Sequence, residues 1–326
     1  MNIRQMLKNY PLRVALTDFC NVKCFFCSNE GMGLKNRNLR HADYERLVYL
    51  LKLLNKNGLN NLSLTGGEPS LYPQIDQLLT FIGQLQFKKT FFHTNGTHLT
   101  PELIHKHLLN FSKVAVSIHT VDFDIWQKLT RGPRALFDKL MVNLDILAEY
   151  SRKEELLVEI KVVPMKGIND SEGVIQEVLD YCSERNFKFK FLNFEPITPD
   201  QQKYQTSLKF LKTKVEGIGG KRLPSDSSFR GQASYLPLNW YRYKNVKGVL
   251  IEIGCGHSKI CKDCFKSNEI FIDPELNIKP CHATTHSIPL KKLIKEKKDK
   301  NILQSIIDSR EYLKSQPGKG KNIWGS

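Results

Sequence analysis

The sequence predicts an α/β protein: a partial (β/α)6 barrel followed by a small C-terminal metal-binding unit. Three observations carry this expectation. Six short apolar runs alternate with amphipathic stretches between residue 12 and about residue 194. Seven of the eight cysteines fall into two groups, one just after the first run and one near the C-terminus. With 326 residues, the chain is long enough for one large core and an appendage.

The runs at 12–17, 61–65, 90–94, 113–118, 156–163 and 188–194 have strand length and are rich in β-branched and aromatic residues. Between them lie helical patterns such as 43–55, with Leu47, Leu50, Leu51 and Leu54 on one face, and 136–150. Strand followed by helix, repeated, requires parallel strands with right-handed crossovers. Active sites of such barrels sit at the C-terminal ends of the strands. The barrel is expected over 1–195. Residues 196–247 carry Pro196, Pro199, Gly217, Gly219, Gly220, Pro224 and Pro237 and read as a linker with local structure. Residues 248–326 read as an auxiliary unit with a basic tail. In it, VLIEI is a short strand and EIFIDPELNIKPC a hairpin turning at Asp273-Pro274.

Composition narrows the class. At 40% hydrophobic and 25% charged, with no apolar run near the roughly 18 residues of a membrane span, the chain reads as globular with no membrane partner. Its start, MNIRQMLKNYPLRVAL, has no secretory signal core, which points to the cytoplasm. The net charge of +16 favours anionic partners. The densest basic run, 291–300, has no interleaved aromatic residues and reads as a solvated surface, so nucleic acid is not expected.

Cysteines in a cytosolic chain indicate metal or redox chemistry more than disulfides. Cys20, Cys24 and Cys27 follow the first strand directly and hang at the catalytic mouth. Three thiolates bind three irons of a [4Fe-4S] cubane and leave the fourth without a protein ligand. A bidentate amino-carboxylate, such as the methionine end of S-adenosyl-L-methionine (SAM), can fill that position. Structural zinc would want a fourth ligand, and none lies close in sequence.

The pattern C-x3-C-x-aromatic-C after the first strand resembles the hallmark of the radical SAM superfamily. The resemblance implies a 5'-deoxyadenosyl radical that abstracts hydrogen from substrate. It implies Phe26 packed near the adenine, and Gly66, Gly67, Glu68 and Pro69 receiving the methionine ammonium on backbone carbonyls. Over about 10–285, PLRVALTDFCNVKCFFC, SLTGGEP, HTNG, VAVSIHTVD, LTRGPRALFDKLMVNLD and VVPMKGIND resemble the GTP 3',8-cyclase branch. By that likeness Thr94 and Ser117 contact SAM. Cys261, Cys264 and, after sixteen residues, Cys281 resemble the cyclase auxiliary-cluster set, with Cys255 as a candidate fourth ligand. The expectation is a second [4Fe-4S] cluster, with four-cysteine zinc as the alternative. If Cys255 ligates, the second cluster is structural or electron-transferring and closed to substrate. Cys182 reads as a buried apolar cysteine.

The likeness breaks at the cations that grip a triphosphate. Arg13 is kept and Lys190 stands for an arginine, but Ser63, His93 and Glu159 replace a basic residue, a threonine and a lysine. Lys266-Ser267-Asn268 replaces Arg-x-Arg. Arg13, Lys190 and Lys266 are the expected substrate contacts. A carboxylate in place of a cation opposite phosphate costs about 4 kcal/mol per charge pair at ~4 Å and an effective dielectric near 20. GTP is therefore expected to be disfavoured. Glu159 either meets a cationic or hydroxyl group of the substrate or pairs with Lys161 or Lys190. His93, His119, Glu159 and Glu195 near the strand ends are candidate acid–base groups, each with a wall-residue alternative.

The expected activity is hydrogen abstraction from a small molecule, a nucleoside, amino-sugar or amino-acid derivative, fed electrons by a flavodoxin or ferredoxin. Cross-linking or epimerisation of a ribosomal peptide is the second reading; the lack of a leader-binding domain before Leu12 weighs against it. A zinc- or RNA-binding protein without catalysis is the third.

Overall fold

In the computed structural model, residues 3–9, 11–28, 40–196, 198–224, 238–252, 269–280, 284 and 286–315 are described. After helix α1 (Ile3–Asn9), six parallel strands form the centre: β1 (Leu12–Ala15), β2 (Asn61–Thr65), β3 (Lys89–Thr94), β4 (Lys113–Ser117), β5 (Val158–Val162) and β6 (Lys188–Leu192). Each lies within two residues of its expected start and end. Among the α-helices that connect them, the first five are α2 (Tyr44–Lys56), α3 (Ile75–Gln84), α4 (Pro101–Lys106), α5 (Phe123–Thr130) and α6 (Arg134–Arg152). After β5 comes α7 (Glu172–Arg185). Asp43 caps α2 by accepting from the Arg46 N–H, and Leu47, Leu50, Leu51 and Leu54 are buried as the periodicity requires.

Alternation along the strands sorts the two faces. Leu12, Val14, Leu62, Leu64, Val114, Val116, Val158, Ile160, Phe189 and Phe191 form the core beneath the helices. The residues between them, Arg13, Ser63, His93, Lys113, Glu159, Lys161 and Lys190, line the opposite, polar face.

The later segments differ from expectation. The sheet has twelve strands among the described residues, in the order β12-β11-β10-β1-β2-β3-β4-β5-β6-β9-β8-β7, and the order does not close on itself. β7 (Lys221–Arg222), β8 (Asn239–Tyr243) and β9 (Val246–Ile251) extend it beyond β6, with β9 parallel to β6. β10 (Ile270–Ile272), β11 (Asn277–Lys279) and β12 (Ile288–Pro289) extend it beyond β1, with β10 parallel to β1. The expected boundary at 248 thus falls inside β9, and both C-terminal hairpins are stitched to the edges of the barrel sheet. Gly248 permits the first junction, since a Cβ there would meet the Phe189 ring at 2.2 Å. The Asp273 turn is as expected: its carboxylate accepts from the N–H groups of Glu275 and Asn277, both at 2.9 Å. The supposed linker contains helix α8 (Leu208–Gly217), which buries Leu211 and Val215. Two helices, α9 (Lys291–Lys295) and α10 (Asp299–Ser315), end the described chain, and the lysines of 291–300 are exposed. Among the described residues no helix is long and apolar enough to cross a membrane. Cys255, Cys261, Cys264, Cys281 and Lys266 lie outside the described residues.

Candidate active site

The first cysteine loop leaves β1 at the C-terminal edge of the sheet and is held by backbone bonds. The N–H groups of Lys23 and Phe25 donate to the carbonyls of Thr130 (2.8 Å) and Leu129 (3.3 Å), and that of Cys27 to Cys24 (3.2 Å). Gln201 adds a side-chain bond to the Phe25 carbonyl at 2.8 Å. Cys20, Cys24 and Cys27 are half-buried and not joined in disulfides. Burial first, then the Glu68 carboxylate, push the Cys20 thiol up to about 12. A bare thiolate is costly there, and bound iron would supply the positive charge that stabilises it. The Asn95 side-chain amide already donates to Cys20 Sγ at 3.5 Å. Among the described residues no three His, Cys, Asp or Glu side chains converge on one ion. A cubane does not demand that, because each thiolate takes a different iron. The donor set therefore fits an iron–sulfur cluster.

Gly66 and Gly67 have a reason that sequence reading did not supply. Gly66 has φ +142° and would place a Cβ 2.4 Å from the Thr17 carbonyl; Gly67 would place one 2.1 Å from that of Phe19. Their closeness lets Gly67 N–H donate to Thr17 and Glu68 N–H donate to Phe19, both at 2.7 Å. The Gly-Gly turn is thus zipped to the start of the cysteine loop. Gly67→Ala forces backbone to move at this seam and is expected to cost about 2–4 kcal/mol of stability, together with SAM binding. Denaturant titration and equilibrium dialysis with SAM check this.

Two residues of the expected SAM-binding set, Glu68 and Thr94, have their side chains engaged within the protein. Glu68 is fully buried; its Oε1 accepts from Ser70 N–H (3.1 Å), Ser70 Oγ (2.6 Å) and Thr94 Oγ1 (2.7 Å), and its Oε2 from Asn95 N–H (2.6 Å). Thr94 donates there and accepts from Gly96 N–H at 2.8 Å. Together they tie the end of β2 to the end of β3. Pro69 is buried at the start of the following turn, and Ser117 ends β4 half-buried. Asn95, which joins this strut to Cys20, is the functional residue missed from the sequence; its signal was its place in HTNG at the end of β3.

Phe26 sits in an apolar cluster around Leu129, Met165 and Phe194 and meets the His119 ring edge-on at 4.9 Å between centroids. His119 has φ +64°, and the Asn169 amide bonding its carbonyl at 2.9 Å helps hold it there. Its Nδ1 accepts from Val163 N–H at 3.2 Å. Burial, then Lys161, lower its pKa to about 4, so it is a neutral ring beside Phe26 at pH 7. Glu195 accepts from the Gln205 side-chain amide at 3.5 Å in an exposed contact on the chain leaving β6.

Deeper along the polar face, four expectations change. Glu159 pairs with Lys113 at 3.0 Å, not with Lys161 or Lys190. Burial raises its pKa, but Lys113, Lys190 and Lys161 outweigh that and hold it at about 2. Arg13 is engaged by Glu269 at 2.5 Å. His93 has both ring nitrogens in use: Nδ1 lies 2.6 Å from Lys161 Nζ and Nε2 2.8 Å from Ser63 Oγ. The ammonium can only donate, so Nδ1 accepts and Nε2–H donates to Ser63. Burial and the cations Lys161, Arg13, Lys113 and Lys190 hold His93 well below its ordinary pKa, so it is neutral and positions Lys161. The argument against GTP also loses its footing, because Glu159 is neutralised. Among the described residues, Arg13, Lys113, Lys161 and Lys190 share this face with Glu159 and Glu269. Lys190 is lowered by burial, an effect that Glu159 opposes and Lys113 and Arg13 reinforce.

The Glu159 pair carries a pH signature. A depressed carboxyl pKa contributes stability above the ordinary value near about 4.3, which is lost as pH falls towards 2. Acid unfolding of Glu159→Gln between those values should be shallower than that of the parent, as followed by circular dichroism.

The chain is 24% identical over 310 residues to GTP 3',8-cyclase of Thermodesulfovibrio yellowstonii, covering 94% of this chain and 91% of the relative. It is 27% identical over 274 residues to molybdenum cofactor biosynthesis protein moc-5 of Caenorhabditis elegans, covering 78% of this chain but 44% of that one. Streptococcus suis SuiB bound to S-adenosylmethionine shares the fold with a TM-score of 0.63 at 21% identity, over 91% of this chain and 68% of SuiB. The family model for the radical SAM superfamily matches residues 14–181, from β1 into α7. That span contains the cysteine loop, the Gly-Gly turn and the Asn95 strut, and the chain belongs to the radical SAM superfamily.

Proposed function

We propose that this radical SAM enzyme abstracts hydrogen from a small organic substrate held against the cationic inner face of the barrel. When bound, the cluster and SAM supply a 5'-deoxyadenosyl radical. The protein's own part is to fix the cysteine loop over the strand ends, shelter the adenine side with Phe26, and position the substrate with Lys161 and Lys190. The observation that carries this reading is the seam joining Gly67 and Glu68 to Thr17 and Phe19, which sets the cysteine loop above the polar face. Nucleoside, amino-sugar and amino-acid derivatives are the candidate classes. GTP is tested beside them, given the cyclase relatives and the neutralised Glu159. Anaerobic protein with SAM and a flavodoxin or ferredoxin should release 5'-deoxyadenosine, and the true substrate class should stimulate release. No class stimulating it, with SAM cleaved, would contradict the small-molecule reading.

Cys255, Cys261, Cys264 and Cys281 are proposed to hold a second [4Fe-4S] cluster. About eight irons per chain supports it; about four irons with one zinc refutes it. The cytoplasm, where thiols stay reduced, suits both clusters. A peptide substrate is the second reading, favoured by the fold likeness to SuiB, which has been crystallised bound to its precursor peptide SuiA. Stimulation of SAM cleavage by a peptide and by no small molecule would select it.

A further inference from the structure

The turn after β3 sets one side-chain amide against a cysteine sulfur. Asn95 Oδ1 accepts from the Thr97 N–H at 2.9 Å and from Thr97 Oγ1 at 2.7 Å, while its Nδ2 donates to Asn21 Oδ1 at 3.0 Å and to Cys20 Sγ at 3.5 Å. Asn21 Nδ2 in turn donates to Thr97 Oγ1 at 2.9 Å, which closes a ring of three side chains between the cysteine loop and the end of β3. The Thr97 N–H can only donate, so the atom facing it is the amide oxygen. The amide nitrogen therefore faces Cys20, because exchanging the two ends would set donor against donor.

The backbone of the turn is held as well. The Asn95 N–H donates to Glu68 Oε2 at 2.6 Å, and Gly96, at φ +77°, has its carbonyl bonded by the Asn143 amide at 2.9 Å. A Cβ at Gly96 would lie 2.6 Å from Leu140 Cδ1, so the turn is packed against α6 with no room to shift. The dipole that meets Cys20 is thus fixed in position and in direction before any metal binds.

We propose that Asn95 raises the reduction potential of the iron–sulfur cluster through its N–H bond to the Cys20 sulfur, easing entry of the electron that flavodoxin or ferredoxin delivers. The inference rests on the reading that Cys20 ligates that cluster. A cluster that gains an electron has one more negative charge, spread partly over its sulfurs, and a fixed N–H dipole aimed at one of them favours the reduced state. The Val22 N–H also donates to this sulfur, but it belongs to the cysteine loop itself, whereas Asn95 reaches in from the end of β3. Asn95 acts through the sulfur and is a positioning residue. Asn21 and Thr97 keep its amide turned the one way that presents N–H to Cys20.

The test is a potentiometric titration of the anaerobically reconstituted full chain, read by electron paramagnetic resonance on the signal that later addition of SAM perturbs. That choice separates this cluster from one at the C-terminal cysteines. Asn95→Leu keeps the size of the side chain and removes its donors. At a fixed potential its reduced-to-oxidised ratio should fall by roughly threefold to tenfold, the loss of about one net hydrogen bond, or about 28–59 mV for a one-electron couple. Thr97→Val loosens the amide but leaves its N–H facing Cys20, and should lower the ratio by less. A ratio equal to the parent's or above it in Asn95→Leu overturns the proposal. Should Asn95→Leu not take up iron, Thr97→Val decides on the same terms. A parent with no SAM-responsive signal fails the ligation reading and the proposal with it, whereas a responsive signal whose potential ignores Asn95 fails the proposal alone.

Discussion

Cys24→Ala is expected to abolish 5'-deoxyadenosine formation, a fall of roughly a thousandfold or more, while the chain stays folded. Removing a group that merely supports a metal ligand costs about 10–100-fold, and removing one of the three proposed ligands should exceed that. Cys24 is half-buried on a loop anchored by the backbone bonds of Lys23 and Phe25 and by the Gln201 side chain, so deleting its sulfur leaves these anchors intact. Cys182→Ala is the matched control. That thiol is fully buried on α7, and burial pushes its pKa far up, so it is inert packing. Its loss should leave SAM cleavage in place. Product analysis by chromatography reads both variants.

Glu68→Ala is expected to destabilise the protein by about 3–5 kcal/mol. The carboxylate accepts four hydrogen bonds from Ser70, Thr94 and Asn95 with no exposure to water. Burial pushes its pKa up, and the four donors pull the other way, so the interactions are what make the buried carboxylate tolerable. Alanine strands those donors, at about 1–3 kcal/mol for each buried group left unpaired. Glu68→Gln keeps the shape but replaces one acceptor oxygen with an amide donor, and should fall between parent and alanine. Urea unfolding measures both. Because Asn95 reaches Cys20 from the same strut, SAM affinity should fall in the same order.

Much of this was readable along the chain because its signals are local. A strand shows itself by alternation and a capped helix by Asp43 and its leucine stripe, so the six central strands and α2 were found near their true bounds. The cysteine loop and Gly-Gly turn were found for the same reason. What was hidden depends on pairing across distance. Nothing in the neighbourhood of Ile270 says that it lies beside Leu12, so β10 and β9 were assigned to a separate unit when they extend the barrel sheet. Glu159 was weighed against Lys161 and Lys190, near it in sequence or in strand order, and its partner is Lys113 at the start of the adjacent β4. Glycine's two uses, approach to a ligand and approach to another backbone, leave the same letter; only the 2.1 Å distance at Gly67 tells which applies to the seam.

The most direct test is electron paramagnetic resonance of the anaerobically reconstituted, reduced chain with and without SAM. If three thiolates leave one iron open, SAM must change the cluster signal by ligating that iron, and the change must disappear in Cys24→Ala. A signal indifferent to SAM, or a chain that carries zinc and no cluster, would contradict the account.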